Sequence, residues 1–309
     1  MGETGTVSGW VAGLAALITL IVVGALWVLF PPSPVSDGLV AEQPLSKSLP
    51  GFREDAWFLP DDDLLGFVDV PGGSFVMGSD PSQDPLAYAN ERWSPTRAQG
   101  TVELPGFLIG RYEVTVAQFS QFVSEIGYAV DDQALLGPPD HPVSSVSWTD
   151  ALAYARWLEQ SLIASPNTPK LIASALRDGW RISLPTEAQW EVAARGADGR
   201  VYPWGNSPDP ELANYESTGP RPVGSFYCQA CPLGLADMSG NVWELTRSPN
   251  RAYPYDPGRS GNPEADALWI MRGGSFGDPA RNVRAATRGA VAPGSRRPFI
   301  GFRVVIASF

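Results

Sequence analysis

Two cysteines and one histidine are all that 309 residues offer in soft or imidazole ligands. With His141 alone, an iron site built on several imidazoles cannot be assembled. Cys228 and Cys231 are half of a zinc site, and no other cysteine exists to complete it. No Ser-His-Asp set, phosphate-cradling glycine loop or HExxH helix can be found either. Positive charge is also scarce, 22 Lys and Arg against 33 Asp and Glu. The formal charge of -11 sets the long-range field against nucleic acid and anionic lipid. No Lys or Arg precedes Lys47, so the basic leader of a secretory signal is missing.

Long apolar runs are rare too, with one exception. Val7 to Phe30 is uncharged, long enough at 1.5 Å per residue to cross a hydrocarbon layer of about 30 Å, and carries Trp10 and Trp27 near its ends. A cleaved signal would have a shorter apolar centre, so we read residues 1–32 as a single uncleaved transmembrane anchor. The proline-rich stretch 33–66 reads as a tether. Residues 67–309 are enough for one domain with its own core. Three helices can be placed by their caps: Thr115 with Gln118 ahead of Val116 to Ile126, Ser147 ahead of Trp148 to Leu162, and Thr186 with Gln189 ahead of Glu187 to Arg195. The second carries an apolar stripe of Ala151, Ala155, Leu158 and Leu162. Thirty-two glycines and 30 prolines predict short strands and long turns for the rest. Trp148, Trp157, Trp190, Trp204 and Trp243 are expected as core and turn anchors, and His141 as a structural residue in its turn.

Two local patterns carry chemistry. The FYCQAC pair Cys228 and Cys231 can be a redox dithiol or a small disulfide loop, and a domain outside the cytoplasm favours the disulfide. The stretch GLADMSGNVWEL places Asp237 and Glu244 on either side of a Ser239-Gly240-Asn241 turn. Two carboxylates with the carbonyls of Gly240 and Val242 are an oxygen set that suits calcium. The same spacing also suits Asp237 capping the turn and Glu244 pairing with an arginine, and spacing alone does not choose between them.

That stretch is accompanied in order by VPGGSFVMGSD, GRYEVTVAQFSQFV, HPVSSVSWTDALAYARWLE, RISLPTEAQWEVAARG, VYPWGN, RGGSF and a terminal GFRVV. Together they resemble the formylglycine-generating enzyme family, also called the sulfatase-modifying factor domain, from about Phe67 to Phe309. The resemblance implies an α+β, C-type-lectin-like fold with little regular secondary structure, here preceded by one transmembrane helix. It implies structural calcium held by Asp237, Gly240, Val242 and Glu244. It also implies where the reaction should be: two cysteines after the RGGS strand bind copper and oxidise a substrate cysteine. The matching positions here are Asp278 and Val283, neither of which can be a thiolate, so no copper and no such oxidation are expected. Three functions remain as expectations. The first is a membrane-anchored extracytoplasmic accessory or scaffold subunit that binds a protein partner such as an integral respiratory or photosynthetic complex. The others are a periplasmic tailoring oxidase that works without the cysteine pair, in which Asp278 near Arg281 and Arg284 does acid-base work, and a ligand-binding lectin-like receptor.

Overall fold

The computed structural model describes residues 49–226, 228–254 and 267–309, and the anchor expected at Val7 to Phe30 lies outside them. Among the described residues no helix is long and apolar enough to cross a membrane. In chain order come strands β1 (Phe52–Arg53), β2 (Leu59–Pro60), β3 (Phe67–Val70), β4 (Gly73–Met77), β5 (Gly100–Leu104) and β6 (Phe107–Gly110). Helices α1 (Val116–Ile126), α2 (Trp148–Ala164) and α3 (Lys170–Arg177) follow, then β7 (Arg181–Ser183) and α4 (Glu187–Arg195). The chain ends with β8 (Trp243–Pro249), β9 (Trp269–Arg272), β10 (Gly289–Val291), β11 (Ile300–Gly301) and β12 (Val305–Ala307).

The helices begin where their caps predict. The Thr115 hydroxyl accepts from the Gln118 amide while Gln118 Oε1 accepts from the Thr115 amide, and Ser147 with Asp150 and Thr186 with Gln189 repeat this reciprocal pair. Gly127 closes α1 at φ 63°, a left-handed conformation that glycine adopts without Cβ strain. α2 runs two residues further than expected, to Ala164, and its stripe of Ala151, Ala155, Leu158 and Leu162 is fully buried.

A four-stranded antiparallel sheet in the order β3-β6-β12-β7 separates two cores. Alternation along a strand sends neighbouring side chains to opposite faces. Leu108 and Ile306 accordingly join the core under α1 and α2, while Phe107, Ile109, Val305 and Ala307 pack with Trp190, Ala193 and Ala194 of α4. Burial on both faces explains why the β6 sequence is an unbroken apolar run. A second sheet, β10-β9-β8-β11, carries the central stretch on β8; β11 runs parallel to β8 and pairs Ile300 with Trp243.

Folded structure begins earlier than the boundary at Phe67 that composition suggested. β1 pairs with β2, and Ala56, Leu59 and Leu65 belong to the larger core. The segment's apolar residues stand in two short clusters, Ala56 to Leu59 and Leu64 with Leu65, without the periodicity that would mark a helix or strand in the sequence.

Buried arginine is the unusual feature of the interior. Arg272, Arg284 and Arg303 have no solvent exposure, and each faces carboxylates: Arg272 with Glu187 and Glu191, Arg284 with Asp84 and Glu91, Arg303 with Glu244. Arg195 adds to Glu191 and Arg288 to Glu187. A planar guanidinium donates in a fixed fork, so it can satisfy a carboxylate bidentately in a dry interior where a lysine could not. These pairs tie α4 and the segment Ala89–Glu91 to the last third of the chain.

Candidate functional site

The central stretch turns through three left-handed residues, Asp237 (φ 56°), Gly240 (φ 79°) and Asn241 (φ 59°). Gly240 has no substitute, because a Cβ there would collide with the backbone of Asn214. The Asn241 side chain locks the turn: its Oδ1 accepts from Asn214 Nδ2 at 3.1 Å and from the Arg221 amide at 3.0 Å, and its Nδ2 donates to Glu113 Oε1 at 3.1 Å. Asp237 Oδ2 accepts from the Gly224 amide at 2.7 Å.

Glu244 is fully committed. Arg303 Nε and Nη2 donate to its two oxygens at 2.6 Å each, and Trp190 Nε1 adds a bond of 2.7 Å. Arg303 spends its other donors on the carbonyls of Gly110, Arg111 and Ala236. Asp237 and Glu244 thus meet in one buried cluster, with the Arg303 guanidinium opposing their charge.

Sequence reasoning missed Glu113, the third carboxylate of this cluster. In GRYEVTV it reads only as the approach to the α1 cap. It is 1% exposed, and its Oε2 has no hydrogen-bond partner. Burial first, then the charges of Asp237 and Glu244, push its carboxyl well above the usual range; Arg303 offsets part of this. Burial likewise pushes Asp237 up to about 6. Its only local signal was an acidic residue flanked by apolar ones, Tyr112 and Val114, where a solvated charge has no obvious place.

All the side-chain oxygens are hard donors, and no thiol or imidazole joins them, so the chemistry of the cluster fits an alkaline-earth cation better than a transition metal. Among the described residues no group of three or more His, Cys, Asp or Glu side chains is arranged to hold a metal ion. Two or three carboxylates do not fill a calcium shell, so a cation here would also need backbone oxygens such as those of Gly240 and Val242.

The two positions where the family's reaction would occur lie against the same turn. Asp278 Oδ2 accepts from Trp243 Nε1 at 2.8 Å and from the Ser275 amide and hydroxyl at 3.0 and 2.7 Å. Asp278 Oδ1 accepts from Asn282 Nδ2 at 2.8 Å. Val283 is fully buried among Val201, Tyr202, Ala213 and Tyr215, and its carbonyl accepts from Ser239 Oγ at 2.6 Å. The expected partnership of Asp278 with arginines is absent. Arg281 lies over the Tyr88 ring and Arg284 faces Asp84 and Glu91, so Asp278 works as a turn staple with neutral donors. Cys228 and Cys231 are joined to each other as a disulfide, which leaves no free thiol in the chain. His141 has Nδ1 2.8 Å from Asp140 Oδ1, and its carbonyl accepts the first amide of α1, both structural contacts.

Residues 59–308 match the sulfatase-modifying factor enzyme 1-like domain. The chain belongs to this family. The formylglycine-generating enzyme of Thermomonospora curvata is 30% identical to this sulfatase-modifying factor domain protein over 320 residues, covering 79% of this chain and 94% of the relative. A Mus musculus relative named inactive C-alpha-formylglycine-generating enzyme 2 is 28% identical, covering 76% of this chain and 84% of its own. The mixed α/β fold is shared with the solved structure of PvdO from Pseudomonas aeruginosa, at a TM-score of 0.63 and 24% identity over 78% of this chain and 94% of that one.

Proposed function

We propose that this sulfatase-modifying factor domain is non-catalytic. In this reading it serves as a membrane-anchored accessory subunit on the extracytoplasmic side, where its lectin-like surface holds a protein partner in an integral membrane complex. One observation carries the reading. Where the family's copper thiolates belong, one position holds a carboxylate stapled by four donors and the other a valine without solvent contact. Neither group can supply the thiolate that is both the soft copper ligand and the nucleophile. The mouse relative's name describes the same outcome in another member. The apolar stretch from Val7 to Phe30 supports the membrane attachment, and the Cys228–Cys231 disulfide suits an oxidising compartment.

The tailoring oxidase is the weaker alternative, because both oxygens of Asp278 are occupied and its neighbouring arginines are turned elsewhere. The receptor reading has one observation in its favour, an open polar cleft of about 500 Å³ lined by residues that include Asp80, Gln99, Arg200 and Asn206.

The test is purification of the full chain from membranes in mild detergent, followed by mass spectrometry. Stoichiometric recovery of integral membrane proteins is the expected result. Recovery as a free monomer under conditions that preserve other membrane complexes would contradict the accessory role.

A further inference from the structure

We propose that the free edge of β4 receives an extended segment of a protein partner, added as a further strand and anchored by one apolar and one basic side chain. This names a docking site for the accessory reading and rests on it. β4 and β5 form a sheet of two strands, with Gly73 paired to Leu104 and Met77 to Gly100. Alternate residues of β4 therefore turn their N–H and C=O groups away from β5, and among the described residues no other strand pairs with them. Natural edges are usually blunted by charge, by proline or by a covering element. From Gly72 to Ser79 the sequence GGSFVMGS has neither charge nor proline, and Ser74 and Val76 are exposed on the strand.

A cleft lies at each end of this edge. Beside Ser74 and Phe75 is an apolar one of about 260 Å³, walled by Leu104, Phe107, Val192 and Leu233. Leu233 is 39% exposed, so its rim presents apolar surface that a partner side chain would remove from water. Beside Val76 and Ser79 is the polar cleft of about 500 Å³. Most of its charges cancel within the protein: Asp84 faces Arg284, Arg195 faces Glu191 and Asp198 faces Arg200. Asp80 has no ion pair among the described residues, which leaves this cleft a negative charge to offer a cationic side chain. Ala197 lines both clefts and joins them into one groove along β4. An extended chain advances about 3.3 Å per residue, so a single segment lying along β4 can fill the apolar cleft and reach Asp80 with a lysine or arginine. In this mode main-chain hydrogen bonds supply affinity, and the pockets for alternate side chains supply specificity.

The test selects peptides from a random phage-displayed library on the full-length protein in lipid nanodiscs, then measures the selected sequences by fluorescence anisotropy. Peptides with an apolar and a basic residue about two to four positions apart should be enriched. N-methylation of alternate amides in one phase should weaken them roughly tenfold or more, and methylation in the other phase should not, because only one face of an added strand bonds to β4. Ala197→Trp, at an exposed position, should melt like wild type and bind the same peptides roughly tenfold more weakly. Leu233→Ser removes the apolar rim without adding bulk and should weaken them too, while Asp80→Asn should weaken only those that carry the basic residue. The inference is overturned if no peptide is enriched, if binding survives both methylation patterns, or if Ala197→Trp and Leu233→Ser bind as wild type does. Self-association of wild type that Ala197→Trp abolishes would give the edge to a second copy of the chain and overturn it as well. The accessory reading fails separately. A membrane complex that copurifies equally with wild type and Ala197→Trp would refute the docking site and keep the accessory role, whereas peptide binding with no copurifying complex would keep the groove and refute that role.

Discussion

Arg303→Met should lower the free energy of unfolding by about 3–5 kcal/mol, the usual cost of leaving one member of a buried ion pair without its partner. The variant strands the Glu244 carboxylate, which has no solvent exposure, and frees the carbonyls of Gly110, Arg111 and Ala236 that Arg303 holds together. It also removes the guanidinium charge that offsets Glu113 and Asp237, so the repulsion inside the cluster grows. Arg303→Lys should recover only part of the loss, because an ammonium cannot reproduce the two-pronged contact with Glu244. The decisive companion is Arg303→Met with Glu244→Gln. A neutral amide still accepts from Trp190 Nε1 but carries no charge to strand, so the double variant should be more stable than Arg303→Met alone. Equal stability of the two in urea denaturation would mean that Glu244 is not the source of the cost.

Asp278→Cys with Val283→Cys, which restores thiols at both family positions, should destabilise the domain by about 2–4 kcal/mol and still yield no oxidase. A thiol is a weak acceptor, so the Trp243 indole, the Ser275 amide and hydroxyl and the Asn282 amide lose a charged partner; half-buried donors of this kind cost about 1–3 kcal/mol together. Shrinking Val283 in a filled core adds about 1 kcal/mol. Activity needs a shaped groove as well as two sulfurs, and here the surrounding side chains are organised around a carboxylate. Thermal melts and copper-loaded turnover assays check the two halves separately. A double variant as stable as wild type would show that Asp278 is not a staple.

Local signals explain which parts of this structure could be read in advance. Thr115, Ser147 and Thr186 announce their helices because a cap is a contact across three residues, visible in the sequence itself. Helix α3 gave no such signal. Its N-cap is Pro169, which offers no side-chain acceptor, and only Ile172 and Leu176 are buried along it. The clustering of late arginines was visible, but their partners were not: Asp84 and Glu91 are about two hundred residues before Arg284. Glu187 and Glu191 resemble a solvated helix face, yet both are buried under Arg272 and Arg288. Glu113 belongs to the same class. Nothing within its own strand or turn reveals that the chain will bring Asp237 and Glu244 to it, whereas Asp237 and Glu244 could be paired because they flank one turn.

The claim at the centre of this account is that the domain has kept the family's fold without its reaction. The most direct measurement is the mass of a cysteine-containing sulfatase peptide after incubation with the copper-loaded full-length protein under oxygen, beside a formylglycine-generating enzyme that has both catalytic cysteines. The account predicts an unchanged peptide with this protein and conversion with the comparison enzyme. Formylglycine produced by the unaltered protein would contradict it.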